Sequence, residues 1–482
     1  MEIKSSLIVK SMIKMLLILF VFIYSISGKS YYVSPNGNND NNGSKNKPFK
    51  TIKNGVSFLE AGDTLVVLPG NYGYEYNIRL KKSGRDNSPI VVMAEKEGNV
   101  ILNGPRKKDE MNCSEEYGDD MGKGVAFVIY NVSNVVIDGF KIGNYEVGIT
   151  NIGYADTQKE RPKNIVIKNC TFHNNGGDGI QNIRVSKTLV TNCIFISDEF
   201  KSGRGWDAIQ DYGVNFYNSN DCVVENSYFY GEHNQALSFK EGDDNCIARK
   251  NIFEGVGHFA IFLGQERLSN ETESNKNPTC KNLIAEYNII RPTNGLNQIE
   301  PKRKYRTKTP IVIDNVENAI VRYNYIEGFD DGNKTCGINI YNEALGNIEI
   351  YNNIIAFSVE NLMSGGIFQD WGFEKDNNVQ IHNNTFYKLS TDFINLRHES
   401  GKIWHFTKNL AYKTQFYKSN TDLEYNTDNF RGDPEFKYGD PVQPEISSKP
   451  VKPDFDSYYK KLTNPFRLKQ GSPAEGFGVE FK

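Results

Sequence analysis

Residues 233–265 read HNQALSFKEGDDNCIARKNIFEGVGHFAIFLGQ. A short apolar strand, Ala236 to Phe239, leads to Lys240 and the acids Glu241, Asp243 and Asp244, with His233 and Gln235 entering from the preceding turn. A second alternating strand, NCIARKNIF, then runs to a turn at Asn251 and places Phe253 two residues beyond it. The same strand-turn-strand pattern recurs on both sides without the lysine. The repeat therefore reads as scaffold and the charged cluster as a site grafted on it.

Working outward, nine copies of the unit follow from residue 164: KNIVIKNCTF, KTLVTNCIF, NDCVVENSYF, NCIARKNIF, KNLIAEYNII, ENAIVRYNYI, GNIEIYNNII, NNVQIHNNTF and GKIWHFTKNLA. Their turn residues are Cys170, Cys193, Ser227, Asn251, Asn288, Asn324, Asn353, Asn384 and Asn409, so the spacing runs from 23 to 37 residues. Positions five and three before the turn share one strand face, as in Ile165/Ile167 and Val379/Ile381, and are expected in the core. The position two after it forms a second column, beginning Phe172, Phe195, Phe229 and Phe253. A further strand per copy aligns Ile180, Ile209, Leu237, Ile261, Ile338, Ile367 and Ile394 inward, and turns Ser238 and Lys240 outward on the face of Gln210 and Tyr212 one coil earlier.

Strands too far apart for hairpins imply parallel stacking about 4.8 Å apart. The expected fold is all-β, a single right-handed parallel β-helix; a propeller would need antiparallel strands in evenly sized blades. The expected division is a secretory signal at 1–28, an N-terminal cap and first coils at 29–104, the β-helix at 105–418 and an irregular C-terminal tail docked on it at 419–482. The signal rests on Lys4, Lys10 and Lys14 ahead of MLLILFVFIYSISG, whose apolar core is short for a spanning helix. A short amphipathic helix over Thr51 to Leu59 suits the cap, which a solenoid requires.

Net charge is −3 and the lysines are dispersed, which excludes a nucleic-acid binder on electrostatic grounds. Seven cysteines without a CxxC pair signal neither a zinc nor a redox motif and read as small buried residues. The chain is expected to be secreted, extracellular and monomeric, with no stable membrane insertion.

YYVSPNG, KPFKTIKNG, AGDTLVVLPGNY and FRLKQGSPA resemble the secreted right-handed β-helix polysaccharide lyases of the pectate lyase type, and the likeness runs over nearly the whole mature chain. SFKEGDDNCIARKNIF resembles the lysine-bearing coil of the chondroitinase B and alginate lyase group. There the lysine is the Brønsted base, a role that the resemblance assigns to Lys240. Departures accompany it. That group's calcium-binding glutamates match His233 and Gln235 here, and its arginine falls near Leu263, beside Gln265. The calcium-binding aspartates of the family-nine pectate lyases have Asp207 and Asp211 as their nearest counterparts, so Ca²⁺ is expected there if anywhere.

The implied reaction is β-elimination on an acidic polysaccharide, pectate-type first. A base must take the proton on C5, and positive charge must stabilise the enediolate that follows. Lys240 is the base and His233 the charge-neutralising or proton-donating partner. Tyr212, Gln235, Glu241, His258 and Gln265 line the groove and hold sugar. The acids beside Lys240 favour its charged form, which opposes its use as a base unless a cation binds them. Two rivals follow from the same residues. A hydrolase would use Asp243 and Asp244 as its carboxyl pair, and a non-catalytic β-helix would bind glycans as an adhesin.

Overall fold

The computed structural model describes residues 28–105, 124–154, 161–197, 212–231, 233–265, 278–292, 309–327, 336–341, 346–358, 365–369, 378–390, 394–396, 404–414, 428–445 and 449–481. The chain winds as a right-handed parallel β-helix. Each coil contributes one strand to each of three parallel sheets, two of 13 strands and one of 11 among the described residues. A representative coil runs Lys163–Lys168 in the first sheet, Thr171–His173 in the second and Asp178–Ile183 in the third, before Ser186–Thr191 restarts the first.

The corner between the first and second sheets is the tightest and the most regular. Asn169, Asn192, Asn226, Lys250, Tyr287, Tyr323, Asn352, Asn383 and Lys408 occupy it with φ between 49° and 56°. Asn accepts this left-handed conformation readily, whereas Lys and Tyr adopt it at a cost of about 1–2 kcal/mol. The next residue in each coil repays that cost. From Asn251 onward these residues form a hydrogen-bonded ladder through the interior. Asn324 is typical: its backbone N–H and its Nδ2 donate to Asn353 Oδ1 at 3.0 and 2.9 Å, and Nδ2 also donates to the Ala285 carbonyl at 2.9 Å. Its own Oδ1 accepts the N–H and Nδ2 of Asn288. The ladder continues one coil past the last sequence copy, to Asn429.

Below it, smaller side chains take the same place. The Cys193 N–H donates to Ser227 Oγ, and the Ser227 N–H donates to Asn251 Oδ1. The six cysteines among the described residues are buried and none is in a disulfide, as their reading as small core residues requires.

Two residues beyond the ladder, Phe172, Phe195, Phe229 and Phe253 stack face to face with centroids 5.0, 4.6 and 4.7 Å apart. The third-sheet column is Ile149, Ile180, Val214, Leu237, Ile261, Ile311, Ile338, Ile367 and Ile394. Here the sequence reading slips in one coil. The inward residue is Val214, in the strand Tyr212–Tyr217, whereas Ile209 lies outside the described residues. Asn215 therefore pairs with Ser238 and Tyr217 with Lys240, and Tyr212 pairs with Gln235. WDAIQDYGVNFY alternates in two frames, and only pairing with the neighbouring coils selects one.

Coils also start well before residue 164: Ser30–Val33, Thr64–Val67, Ile90–Ala94 and Val135–Asp138 precede Lys163–Lys168 in the first sheet. They lack the Cys/Asn turn signature. Gly139, with φ 86°, makes the corner before Phe140. The cap helix spans Ile52–Ser57, with the Thr51 hydroxyl accepting the Asn54 N–H. The C-terminal segment holds a helix, Phe455–Thr463, that sequence patterning did not reveal. It packs with Phe436, Phe466 and Ala474 over the outer face of the second sheet, against Tyr228, Tyr325 and Tyr387.

Asn324→Ala should leave the N–H and Nδ2 of Asn288 without their acceptor and cost about 2–5 kcal/mol. Phe229→Ala, which opens the ring stack, should cost about 3–5 kcal/mol. Urea unfolding measures both, and the exposed Lys96→Ala serves as a reference expected to change little.

Candidate functional site

The third sheet is where the sequence varies most around constant strands. Its strands are entered and left by connections of very different length, from three residues between Gly231 and Gln235 to 17 between Arg291 and Thr309. Leu237 and Phe239 belong to the core, so strand alternation sends Ser238 and Lys240 to the outer face. Adjacent coils add the residues in register: Gln181, Asn215 and Phe262 beside Ser238, and Tyr217 beside Lys240.

Lys240 is on that face but does not stand in solvent. Only 4 % of it is exposed. Its Nζ donates to the Tyr212 hydroxyl at 3.2 Å and lies 4.8 Å from the Tyr212 ring and 5.1 Å from the Phe262 ring. The expectation of a solvent-facing lysine is thus corrected. Two aromatic faces and a phenol replace most of its hydration. Next to it, Ser238 Oγ donates to Asn215 Oδ1 at 2.7 Å, with both residues fully buried. Tyr217 sits in the same pocket of charge. Burial, then the neighbouring Tyr212 and Asp178, push its phenol far upward, so it keeps its proton.

The acids after Lys240 have other work. Asp243 is fully buried and accepts the N–H groups of Ser219 at 2.5 Å and Lys240 at 2.9 Å, which closes the turn that ends the strand. Burial holds its carboxyl well above the usual range, against the two backbone donors. Asp244 accepts Asn282 Nδ2 at 2.9 Å on the neighbouring coil. Glu241 takes the left-handed corner, with φ 53°. The pairing of Asp243 and Asp244 as a hydrolase carboxyl pair fails, because Asp243 is committed to the backbone.

His233 is corrected as well. It is 1 % exposed, edge-on to the core ring of Phe229 at 6.3 Å. Burial lowers its pKa to about 4, so at neutral pH it carries no charge with which to neutralise a carboxylate. Gln235 and Gln265 are also buried. Gln235 pairs with Tyr212 and Phe259, and the Gln265 N–H donates to the Asp314 carbonyl. His258 lies half-buried at the start of the next coil's strand, stacked on Phe259 at 3.8 Å and bonded through Nδ1 to Asn234 Oδ1. Leu263, near the place expected for an arginine, belongs to the core.

Asp207 and Asp211 lie outside the described residues, and among the described residues no group of three or more His, Cys, Asp or Glu is placed to hold a metal ion. The described residues by themselves make no Ca²⁺ site, so one would rest on Asp207 and Asp211.

The structure therefore joins Lys240 to Tyr212 and removes His233 from their company. It adds Tyr217, Asn215, Asp178 and Phe262. The signal for these was available: GVNFY aligned on ALSFK puts Tyr217 at the offset of Lys240.

Comparison with known proteins agrees with this architecture. Residues 31–204 match the family described as Pel9A-like, right handed beta helix region, and residues 123–288 match the right handed beta helix region. The chain is 37% identical over 121 residues to the uncharacterized protein YwoF of Bacillus subtilis, covering 25% of this chain and 23% of that one. It is 33% identical over 78 residues to pectate lyase L of Dickeya dadantii, covering 15% and 18%. The chain thus spans less than a quarter of the length of these curated relatives. A lacto-N-biosidase of Eubacterium ramulus, glycoside hydrolase family 136, superposes with a TM-score of 0.54 at 13% identity, over 78% of this chain and 68% of that one, and shares the fold.

The buried His233 predicts a pH effect. Its pKa is 6.5 when exposed and about 4 when folded. The unfolded chain therefore binds the extra proton first, and stability that is complete above pH 6.5 is lost as the pH falls towards 4. The loss should reach about 3 kcal/mol, at about 1.4 kcal/mol per pH unit. Urea unfolding of wild type and His233→Gln between pH 7 and 4.5 should show the variant lacking that share of the slope.

Proposed function

From a chain that is a pectate-lyase-like right-handed β-helix, we propose an extracellular polysaccharide lyase that cleaves a uronate polymer, pectate-type first, by β-elimination. The observation that carries the reading is the Lys240 amine, buried on the outer face of the third sheet and hydrogen-bonded to Tyr212. A structural lysine at a coil surface has no need of an aromatic enclosure.

In the proposed reaction the neutral Lys240 amine takes the C5 proton, and the electron pair moves into the uronate carboxylate as an enediolate. That charge collapses to form the C4–C5 double bond, and the bond from C4 to the bridging oxygen breaks. The departing oxygen needs a proton. Tyr212 is the described donor already in contact with the base, and the proton on Lys240 returns to the phenolate through the same 3.2 Å contact. Tyr217, which keeps its proton, offers its hydroxyl to the sugar, and the buried Asn215–Ser238 pair ties the strands beneath it. Asp207 and Asp211 are proposed to supply carboxylates for Ca²⁺, since hard oxygen ligands suit the ion. The apolar run at residues 15–28 supports export, and among the described residues no helix is long and apolar enough to cross a membrane.

Because Lys240 is packed, Lys240→Met rather than Ala is the informative variant. It should unfold at the wild-type urea midpoint to within about 1 kcal/mol and lose at least about a hundredfold of turnover, read as the ultraviolet absorbance of unsaturated product on polygalacturonate, alginate and glycosaminoglycans. Tyr212→Phe keeps the ring and should lower kcat more than KM. Chelation with EDTA should abolish turnover and added Ca²⁺ restore it. Reducing ends without unsaturated product would favour a hydrolase, and binding without either would favour the adhesin.

A further inference from the structure

The N-terminal cap carries a cavity of 420 Å³ that the reaction above does not use. Its walls come from the cap helix, through Lys53, Asn54 and Ser57, and from the turn Tyr74, Glu75 and Tyr76. The rings of Tyr74 and Tyr76 stand 4.9 Å apart, tilted by 32°, and Lys53 Nζ sits 5.2 Å from the Tyr76 ring. The turn is held from both sides. Glu75 accepts the N–H groups of Ile52 at 3.0 Å and Lys53 at 2.9 Å, and its carbonyl accepts the Tyr145 hydroxyl at 2.7 Å. With both Glu75 oxygens engaged, the charged group left at the cavity is the exposed Lys53 amine, beside the two tyrosines and Ser57.

The volume of this open cavity lies within the range of small-molecule sites, about 300–1,000 Å³, and the lining suits a sugar: phenol rings for its ring and an ammonium for a carboxylate. Its place matters too. Tyr76 precedes the strand Ile78–Leu80, the first of the third sheet, by two residues. Tyr212 opens a strand four places along the same sheet. At about 4.8 Å per strand the two tyrosines lie about 19 Å apart on one edge. We propose that this cavity is a second saccharide subsite, which holds a uronate unit of the same polymer while another part of that polymer lies at Lys240. The identity of the polymer rests on the proposed function; the existence of the subsite does not rest on turnover.

The test is affinity electrophoresis in gels containing polygalacturonate, with Lys240→Met as the parent so that the polymer stays intact. The parent should be retarded. Adding Tyr76→Ala or Lys53→Gln should weaken the apparent affinity at least threefold, with an unchanged thermal midpoint for the exposed Lys53→Gln. A neutral glucan in the gel should retard none of them. Equal retardation of parent and double variants overturns the subsite, as does an unretarded parent; retardation by the glucan equal to that by polygalacturonate overturns the assignment to a uronate. The lyase reading is decided separately, by unsaturated product from the wild type, so either idea can fail alone.

Discussion

Every structural property of this chain depends on coils stacking in register. A parallel strand satisfies its N–H and C=O groups only on the strands above and below it, so a coil has no internal hydrogen bonds to fall back on. The side chain that fixes the register is the asparagine after the left-handed corner. Asn251, Asn288, Asn324, Asn353, Asn384 and Asn409 each tie a backbone N–H to the amide of the next coil and return a bond to a carbonyl of the coil before. A one-residue slip would unmake all these bonds and reverse inward and outward faces together. The ladder also explains why Tyr287 and Tyr323 accept a left-handed backbone: the following asparagine is held, and the two rings stack at 4.7 Å.

This register turns sequence position into geometry at the site. Tyr217 and Lys240 are neighbours in one outer column, and Asp314 stands in it two coils on, past Gly264, because Phe216, Phe239 and Ile313 fall in the inner one. The strand then ends sharply, since Asp243 holds the N–H of Lys240 itself. The amine is thus carried by a backbone with little freedom, and its contacts with Tyr212 and Phe262 come from the coils on either side. Such placement on rigid strands is what a positioned base requires.

Much of this was legible in the residues. The period, the phenylalanine stack and the inward column of isoleucines follow from alternation alone. The turn asparagines were visible as a column, yet their role as a ladder was not, because a turn asparagine and a laddered one look alike until coils are stacked. The slip at Ile209 and Val214 has a similar cause: two frames alternate equally well there, and the neighbouring strands decide. At the site, the sequence singled out Lys240 and Tyr212 but misjudged their surroundings. Alternation says which way a side chain points and nothing about what covers it, so Lys240 was expected in water and His233 beside it. Charge counting misled in the same way, since Asp243 is buried, bonded to backbone N–H groups, and held by that burial toward its neutral form.

The three outer faces then divide their tasks by chemistry. The second sheet is covered by the C-terminal helix, pinned where Arg291, paired with Glu327 at 2.6 Å, bonds to Tyr458 and to the carbonyls of Pro444 and Glu445. Breaking that pair would leave a charge buried without compensation, which fixes the helix in one place. The first sheet closes on itself through ion pairs between coils, Arg249 with Glu225 and Arg322 with Glu286. On the third sheet, Gln181, Asn215, Ser238 and Lys240 make a polar row, with aromatic rings at its sides and connections of irregular length at its borders. A polymer needs a face with hydrogen-bonding groups in line and walls that evolution can lengthen without disturbing the core. Among the described residues the third sheet is where both occur, and the cap cavity lies along its edge.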